Sequence, residues 1–173
     1  MAESSSGEPL EIERKFLIRM PDRETLERES VKRIRISQIY LRADAGVSAR
    51  LRRSETDSGT TLFLTEKTHV THRTRVERER EISPREWAEL IRRADPDRRP
   101  IEKTRWCVPY AGHMLEIDVF PFWDDRAFCE AELAAEDEDL SLPEWIRVIR
   151  EVTEDPRYNN SSLALAVPME DIP

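Results

Sequence analysis

The 173-residue sequence predicts a mainly β protein with some helix (α+β), built as a closed barrel of eight antiparallel strands under a few covering helices. Two observations support this fold class. Eight segments alternate polar and apolar residues with the period of two that puts neighbouring side chains on opposite faces of a strand. About eight antiparallel strands is also the number that closes into a barrel with room for one small ligand.

The eight predicted strands are separated by residues that favour turns. Asp44 to Gly46, Asp57 to Gly59 and Tyr110 to Gly112 each end in a glycine, as tight connections between strands commonly do. The predicted strands span residues 11–19, 33–42, 47–54, 61–68, 75–82, 101–109, 113–120 and 127–134.

The sequence signals a helix after the fifth strand. Ser83 can cap its N-terminus, Pro84 fits its first turn and Glu86 completes a capping box. A second helix is predicted over residues 22–30 and a short terminal helix over 161–167.

Length and charge restrict the classes of function. Residues 10–173 read as one domain, because no repeat or linker divides them, and residues 1–9 read as a disordered tail. The net charge of −8 disfavours binding to nucleic acid or to an anionic membrane surface. No apolar run approaches the ~20 residues of a membrane span, and no signal segment opens the chain. We therefore expect a cytoplasmic protein.

The scarcity of glycine and cysteine excludes several kinds of site. The four glycines are scattered, whereas a backbone loop that cradles phosphate needs clustered glycines. Side chains would therefore have to hold any bound phosphate. Cys107 and Cys129 lack the spacing of a zinc site or a disulfide framework. We interpret His69, His72 and His113 as ordinary surface histidines.

One face of the predicted strands is charged. The first strand places Glu11, Glu13 and Lys15 on one face, with Ile12 and Phe16 on the other. A one-sided sheet with its polar face in water is the alternative interpretation. Carboxylate pairs and arginine pairs that are segregated by strand instead favour an enclosed charged interior, with the apolar faces turned outward beneath the helices.

The charges at inward positions suit a complex of a metal ion with a polyphosphate. Carboxylates one residue apart can share a hard cation such as Mg²⁺ or Mn²⁺, and arginine and lysine bind phosphate oxygens. The acids at inward positions are Glu11, Glu13, Glu77, Glu79, Glu116, Asp118, Glu130 and Glu132. The bases are Lys15, Arg50, Arg52, Lys67, Arg75, Lys103 and Arg105, with Arg157 near the C-terminus.

Motifs along nearly the whole chain after the tail resemble those of the CYTH, or triphosphate tunnel metalloenzyme, superfamily. In family order they are EIERKF at 11–16, RLR at 50–52, TEK at 65–67, RVERE at 75–79, EKTR at 102–105, LEIDVF at 115–120, EAEL at 130–133 and DPRYNN at 155–160. The short bacterial tripolyphosphatases look most similar. The resemblance implies an eight-stranded tunnel that uses Mg²⁺ or Mn²⁺ to hydrolyse tripolyphosphate or thiamine triphosphate, or to cyclise ATP.

The resemblance also implies roles for single residues. The expected catalytic residues are Lys15, Glu13, Arg52 and Tyr40. Tyr40 either orients Lys15 or only packs. The expected metal ligands are Glu11, Glu13, Glu130 and Glu132, assisted by Glu77, Glu79 and Asp118. The expected triphosphate-binding residues are Lys15, Arg50, Arg52, Lys67, Arg75, Lys103, Arg105 and Arg157.

The predicted function is metal-dependent hydrolysis of inorganic tripolyphosphate to pyrophosphate and phosphate, by attack of a metal-activated water on a terminal phosphorus. Thiamine triphosphate or a nucleoside triphosphate are further candidate substrates. An adenylate cyclase with the same tunnel, and a polyphosphate- or nucleotide-binding module without turnover, are the alternatives. The general base, the preferred metal, the role of Glu116 and the formation of a homodimer stay open.

Overall fold

The computed structural model describes residues 10–71 and 74–173, which form nine strands and three short α-helices. The strands are β1 (Leu10–Arg19), β2 (Lys32–Leu41), β3 (Val47–Thr56), β4 (Gly59–His69), β5 (Thr74–Glu81), β6 (Ile101–Tyr110), β7 (His113–Val119), β8 (Arg126–Glu132) and β9 (Val148–Glu151). The helices are α1 (Arg23–Glu29), α2 (Pro84–Leu90) and α3 (Asn160–Leu163), with 3₁₀ turns at Ile91–Arg93 and Pro156–Tyr158. The predicted tail over residues 1–9 lies outside the described residues. None of the described helices has the length and apolar character needed to cross a membrane.

Strands β1 to β8 form a closed antiparallel barrel, which confirms the predicted fold class. Neighbouring strands follow the order β5-β4-β3-β2-β6-β7-β8-β1, and β1 also pairs with β5. Three register pairs at the start of β1 make this closing contact. The second half of β1 pairs with β9 instead. Two different strands therefore complete the barrel wall along this seam.

Two elements differ from the prediction. Strand β9 is absent from the predicted set, because it has four residues and owes its extended form to its pairing with β1. The terminal helix expected over 161–167 is the single turn Asn160–Leu163, capped by Asn159. Helix α1 forms where predicted, and α2 has the predicted capping box between Ser83 and Glu86.

The apolar faces of the strands are turned outward and covered. Phe16, Trp106 and Ile117 form a buried cluster with Leu26 of α1. Leu51 lies in a second cluster, against which the apolar side chains of α2 pack. The barrel therefore has the predicted orientation, with apolar residues outside beneath the helices.

The inside of the barrel is apolar at one end. Leu17 and Phe128 belong to a buried cluster that includes Phe120, Trp123 and Tyr158. The Phe128 ring makes edge contacts with three of these aromatic rings, at centroid distances of 5.2 to 6.0 Å. This aromatic floor closes one end of the interior beneath the charged positions of the same strands.

Candidate active site

Side chains from all eight barrel strands converge on one cavity of about 210 Å³, and those from every strand except β2 include charged groups. Six glutamates line it: Glu11, Glu13, Glu77, Glu116, Glu130 and Glu132. Six bases line it as well: Lys15, Arg50, Arg52, Lys67, Arg75 and Arg105. The remaining lining residues are Tyr40, Ser48, His69, Asn159, Asn160 and Ser161. The structure thus brings most of the expected site residues together at one place.

Glutamates face each other across neighbouring strands of this cavity. Glu13 on β1 is the register partner of Glu132 on β8, and Glu116 on β7 is the partner of Glu130 on β8. Side chains directly opposite in an antiparallel pair lie about 5 Å apart at Cβ, and like charges there repel. The side chain of Glu132 takes part in no hydrogen bond or ion pair within the described residues, whereas Glu13, Glu116 and Glu130 each contact a base. Glu132 is therefore the carboxylate of these two pairs whose charge is left uncompensated.

On the β1–β5 side of the cavity, the glutamates are held by bases. Lys67 Nζ lies 2.9 Å from carboxylate oxygens of both Glu11 and Glu77. Arg75 forms a hydrogen-bonded ion pair with Glu13, and its Nε is 3.7 Å from Glu11. These contacts link the side chains of β1, β4 and β5 across the short seam of the barrel.

Lys15 and Glu130 form a buried pair deeper in the cavity. Lys15 Nζ is 3.2 Å from Glu130 Oε1 and donates a hydrogen bond to the Tyr158 carbonyl at 3.2 Å. Burial raises the pKa of Glu130, but the charges of Lys15, Arg105 and Lys103 outweigh it and hold that pKa well below its ordinary value. Glu130 is therefore ionised at neutral pH.

The β2–β3 side of the cavity carries two arginines, Arg50 and Arg52, that have a single long ion pair between them within the described residues, from Arg52 to Glu79 at 3.8 Å. Arg50 is 5% exposed, and its side chain takes part in no hydrogen bond or ion pair within the described residues. Its register partner, Tyr40, has a buried hydroxyl that is also unpaired within the described residues. The polar partners of Lys15 are other groups, so the structure gives no support to Tyr40 as the residue that orients Lys15.

Arg52 lies two residues after Arg50 on β3 and faces the same cavity. It donates a hydrogen bond to Gln38 at 3.2 Å, and its nearest carboxylate, Glu79, is 3.8 Å away. Burial, followed by repulsion from Arg50 and Arg105, lowers the pKa of Arg52 to about 10. A buried charge with so few partners is costly, so an anion bound at this wall would be stabilised by Arg50 and Arg52.

Beneath the cavity, Asp118 fixes two bases. Both of its oxygens accept hydrogen bonds from Arg105, at 2.7 and 2.8 Å, and one also accepts from Lys103 at 2.5 Å. Arg105 in turn reaches the cavity, where it pairs with Glu116 and lies 3.6 Å from Glu130. Both oxygens of Asp118 are thus engaged, and its side chain is fully buried.

Four expected site residues do not line the cavity. Lys103 and Asp118 are enclosed below it, with side chains that are 0% exposed. Glu79 accepts a hydrogen bond from Thr65 at 2.6 Å. Arg157 is bound to Asp155 at 2.7 Å, and its side chain is 59% exposed. In this structure these four residues hold one another or neighbouring side chains, and do not offer a free group to the cavity.

The glutamates fit a hard divalent cation by chemical type, although they are not gathered into a finished site. Within residues 10–71 and 74–173, no three His, Cys, Asp or Glu side chains are placed to hold a metal ion together. Mg²⁺ in phosphate-handling sites commonly uses one or two carboxylates, retains waters and takes the other ligands from substrate phosphates. Glu13 and Glu132 are opposed carboxylates of this chemical type, with Glu11 and Glu130 beside them on the same strands.

Several lining residues are missing from the candidates drawn from the sequence. Ser48 and His69 lie at inward positions of β3 and β4, and strand parity could have identified both. Asn159, Asn160 and Ser161 enter from the C-terminal turns, for which sequence alternation gives no direction. His69 is exposed but stands at the cavity mouth, while His72 lies outside the described residues. His113 pairs with Glu138 away from the cavity.

Comparison with known proteins agrees with this geometry. The CYTH domain family matches residues 9–164. The inorganic triphosphatase of Acetivibrio thermocellus is 34% identical over 155 residues, which is 88% of this chain and 92% of the relative. That of Nitrosomonas europaea is 34% identical over 164 residues, 91% of this chain and 99% of the relative. A solved crystal structure of an inorganic triphosphatase is 32% identical with a TM-score of 0.57, covering 91% of this chain and 96% of its own. Because the family match spans most of the sequence, the protein belongs to the CYTH domain family.

Proposed function

We propose that the protein is a metal-dependent inorganic triphosphatase, which hydrolyses tripolyphosphate to pyrophosphate and phosphate. The observation that carries this proposal is the cavity, in which six bases and six glutamates face one another above a closed aromatic floor. The named activity of the relatives that share 34% identity supports the same reaction.

The composition of the wall favours an inorganic anion over a nucleotide. Its described residues include one phenol ring, Tyr40, and one imidazole, His69, and all its other side chains are charged, hydroxyl or amide groups. A linear triphosphate offers enough anionic oxygens to engage several arginine and lysine side chains at once. A nucleoside would instead need apolar or stacking surfaces.

The bases of the cavity differ in whether they are already paired with a glutamate, and we propose that this sets the order in which they bind phosphate. Arg50 has no carboxylate partner within the described residues, and Arg52 has one, Glu79, at 3.8 Å, so these two arginines are proposed to bind the phosphate oxygens first. Lys15, Lys67 and Arg75 follow when they leave their glutamates. In the reaction, a water oxygen attacks a terminal phosphorus and the bond to the bridging oxygen breaks. The bases stabilise the negative charge that grows on the departing pyrophosphate.

A divalent cation, Mg²⁺ or Mn²⁺, is proposed to be held by Glu13 and Glu132 with help from Glu11 and Glu130. When bound, such a cation neutralises phosphate charge and lowers the pKa of a bound water. Glu13 and Glu132, which lie on two neighbouring barrel strands, would hold such a cation at the wall of the cavity.

Side-by-side assays of tripolyphosphate, thiamine triphosphate and ATP, with Mg²⁺ and with Mn²⁺, test this function. We expect kcat/KM for tripolyphosphate to exceed that for ATP by at least ~10-fold, about 1.4 kcal/mol of transition-state discrimination. Arg52→Ala should raise KM and lower kcat together, because the arginine contacts both ground and transition states. Formation of cyclic AMP from ATP with tripolyphosphate untouched would make the protein a cyclase instead. Binding without any turnover would leave a polyphosphate-binding module.

A further inference from the structure

We propose that the triphosphate and the divalent cation bind this cavity cooperatively, because Arg75 and Lys67 occupy the cation-binding glutamates until the anion draws these bases away. The inference rests on the proposed function. It concerns the order and coupling of binding, which the reaction itself does not dictate.

The glutamates of the β1–β5 side are already neutralised. Glu13 is paired with Arg75, and Glu11 shares Lys67 with Glu77 at 2.9 Å. Glu11 and Arg75 are also register partners across the seam, so their side chains start from neighbouring backbone positions. A cation entering alone must displace these side chains and leave them as buried unpaired charges, which is costly.

The β2–β3 side is in the opposite state. Arg50 has an unpaired Nε and no ion pair among the described residues, and Arg52 is 3.8 Å from its nearest carboxylate. An anion therefore finds its first partners here without breaking an existing pair. A chain of three phosphates that reaches across the cavity then competes with Glu13 for Arg75.

Charge balance couples the two events. With six glutamates and six bases in the wall, an anion that takes Arg75 leaves Glu13 uncompensated opposite Glu132. Two facing carboxylates without a base repel each other and attract a cation strongly. Thermodynamic linkage makes the effect reciprocal, so the cation strengthens anion binding by the same factor.

Arg75 and Arg50 form a matched pair for the test. Both are arginines that line the same cavity, but only Arg75 is paired with a glutamate within the described residues. Replacing either with glutamine removes one positive charge. Replacing Arg75 also releases Glu13, whereas replacing Arg50 releases no carboxylate.

The measurement is Mn²⁺ binding, followed by the electron paramagnetic resonance signal of free Mn²⁺, with and without a non-hydrolysable imido-bridged triphosphate. The solution complex of Mn²⁺ with this analogue is the same in every titration and cancels between variants. In the wild type, we expect the analogue to tighten Mn²⁺ binding roughly tenfold or more beyond that complex, within the usual range of coupling between sites.

Arg75→Gln should bind Mn²⁺ alone roughly tenfold more tightly than the wild type and lose most of the coupling. Arg50→Gln releases no carboxylate, so it should change Mn²⁺ binding alone by less than about threefold; it should weaken binding of the analogue but keep the coupling when the analogue is saturating. Lys67→Met, which frees Glu11 and Glu77, should behave as Arg75→Gln does and serves if that variant fails to fold. Equal effects of Arg75→Gln and Arg50→Gln would overturn the inference and leave only a general charge effect. The inference would also be overturned if the affinity of the wild type for Mn²⁺ were the same with and without the analogue. Tripolyphosphate hydrolysis by the wild type, assayed separately, reports on the proposed function alone.

Discussion

The two halves of the barrel interior differ, although the same strands build both. Along β1, the inward side chains change from Glu13 and Lys15 to Leu17, and along β8 they change from Glu132 and Glu130 to Phe128. Glu132 is exposed at the mouth, whereas Phe128 is fully buried. Charge inside this closed barrel therefore lies either at the cavity or in the enclosed ion pairs of Asp118 just below it, and apolar packing takes over beyond them.

The two halves also support each other at their boundary. Lys15 Nζ lies 4.8 Å from the centroid of the Phe128 ring, and Lys103 Nζ lies 5.7 Å from that of Phe120. A cation over an aromatic face is stabilised by the ring's charge distribution. The aromatic floor thus contacts and stabilises the two deepest lysines, Lys15 and Lys103.

Removing the floor should have the largest effect on stability. Phe128→Ala deletes a fully buried ring that touches three aromatic neighbours, and we expect the free energy of unfolding to fall by about 3–5 kcal/mol. Urea denaturation followed by tryptophan fluorescence measures this loss. Phe122→Ala is the control, because that ring is only partly buried. Equal losses in both variants would show that the floor is not a packed unit.

Removing the ion pairs of Asp118, which lie between the cavity and the aromatic floor, should lower the free energy of unfolding somewhat less than Phe128→Ala does. The size of this loss should depend on pH. Asp118→Asn leaves Arg105 without its buried carboxylate, for which we expect a loss of about 3 kcal/mol at neutral pH. Burial lowers the pKa of Lys103 to about 7, so this lysine can release its proton once Asp118 is gone and limit the cost.

Acid unfolding gives the sign of this effect. Burial raises the pKa of Asp118, but the opposite effect of the positive charges of Arg105 and Lys103 is larger. The pKa of Asp118 therefore lies below its ordinary value. The stabilisation from Asp118 is therefore complete above the unfolded-state pKa of about 4 and is lost as the pH falls below it. Urea unfolding at several pH values should show a shallower acid loss in Asp118→Asn than in the wild type. Identical acid slopes would contradict the assigned role of Asp118.

In the charged half, activity and stability should separate. Glu132→Gln removes an unpaired carboxylate opposite Glu13, so we expect the melting temperature to stay equal or rise slightly. Turnover should fall on the order of 10²-fold, about 2.7 kcal/mol, if the carboxylate holds the cation. Glu130→Gln should lose turnover and stability together, because Lys15 loses its buried partner. Near-normal turnover of both variants at saturating Mg²⁺ would remove these glutamates from the cation site.

The comparison also explains which features the sequence could predict. Strand parity predicts the face on which a side chain lies, and the barrel expected from it is confirmed. The family membership expected from the motif resemblance is confirmed as well. Parity gives no depth, however. Lys103 and Asp118 have inward parity, yet they lie next to the aromatic floor and are enclosed.

The alternation of polar and apolar residues could not predict features that depend on contacts between distant parts of the chain or on contacts between near neighbours. Strand β9 exists through its pairing with β1, about 130 residues away in the chain. The DPRYNN motif suggested a phosphate-binding Arg157, but Asp155 lies two residues before it and captures its guanidinium. The roles of the cavity residues in binding and turnover stay predictions.

The smallest expected effect concerns this arginine. Arg157 bonds Asp155 through Nε and Nη2 at 3.0 and 2.7 Å, outside the cavity wall. A side chain outside the cavity cannot stabilise the transition state there. Arg157→Ala should therefore change kcat/KM for tripolyphosphate by less than about twofold. Arg52→Ala, assayed beside it, is the contrasting cavity variant. A large rise in KM for Arg157→Ala would mean that the arginine leaves Asp155 and reaches the phosphate chain when substrate binds, as the family resemblance implies. The C-terminal turn would then belong to the binding site, and Asp155→Asn should strengthen substrate binding by releasing the arginine.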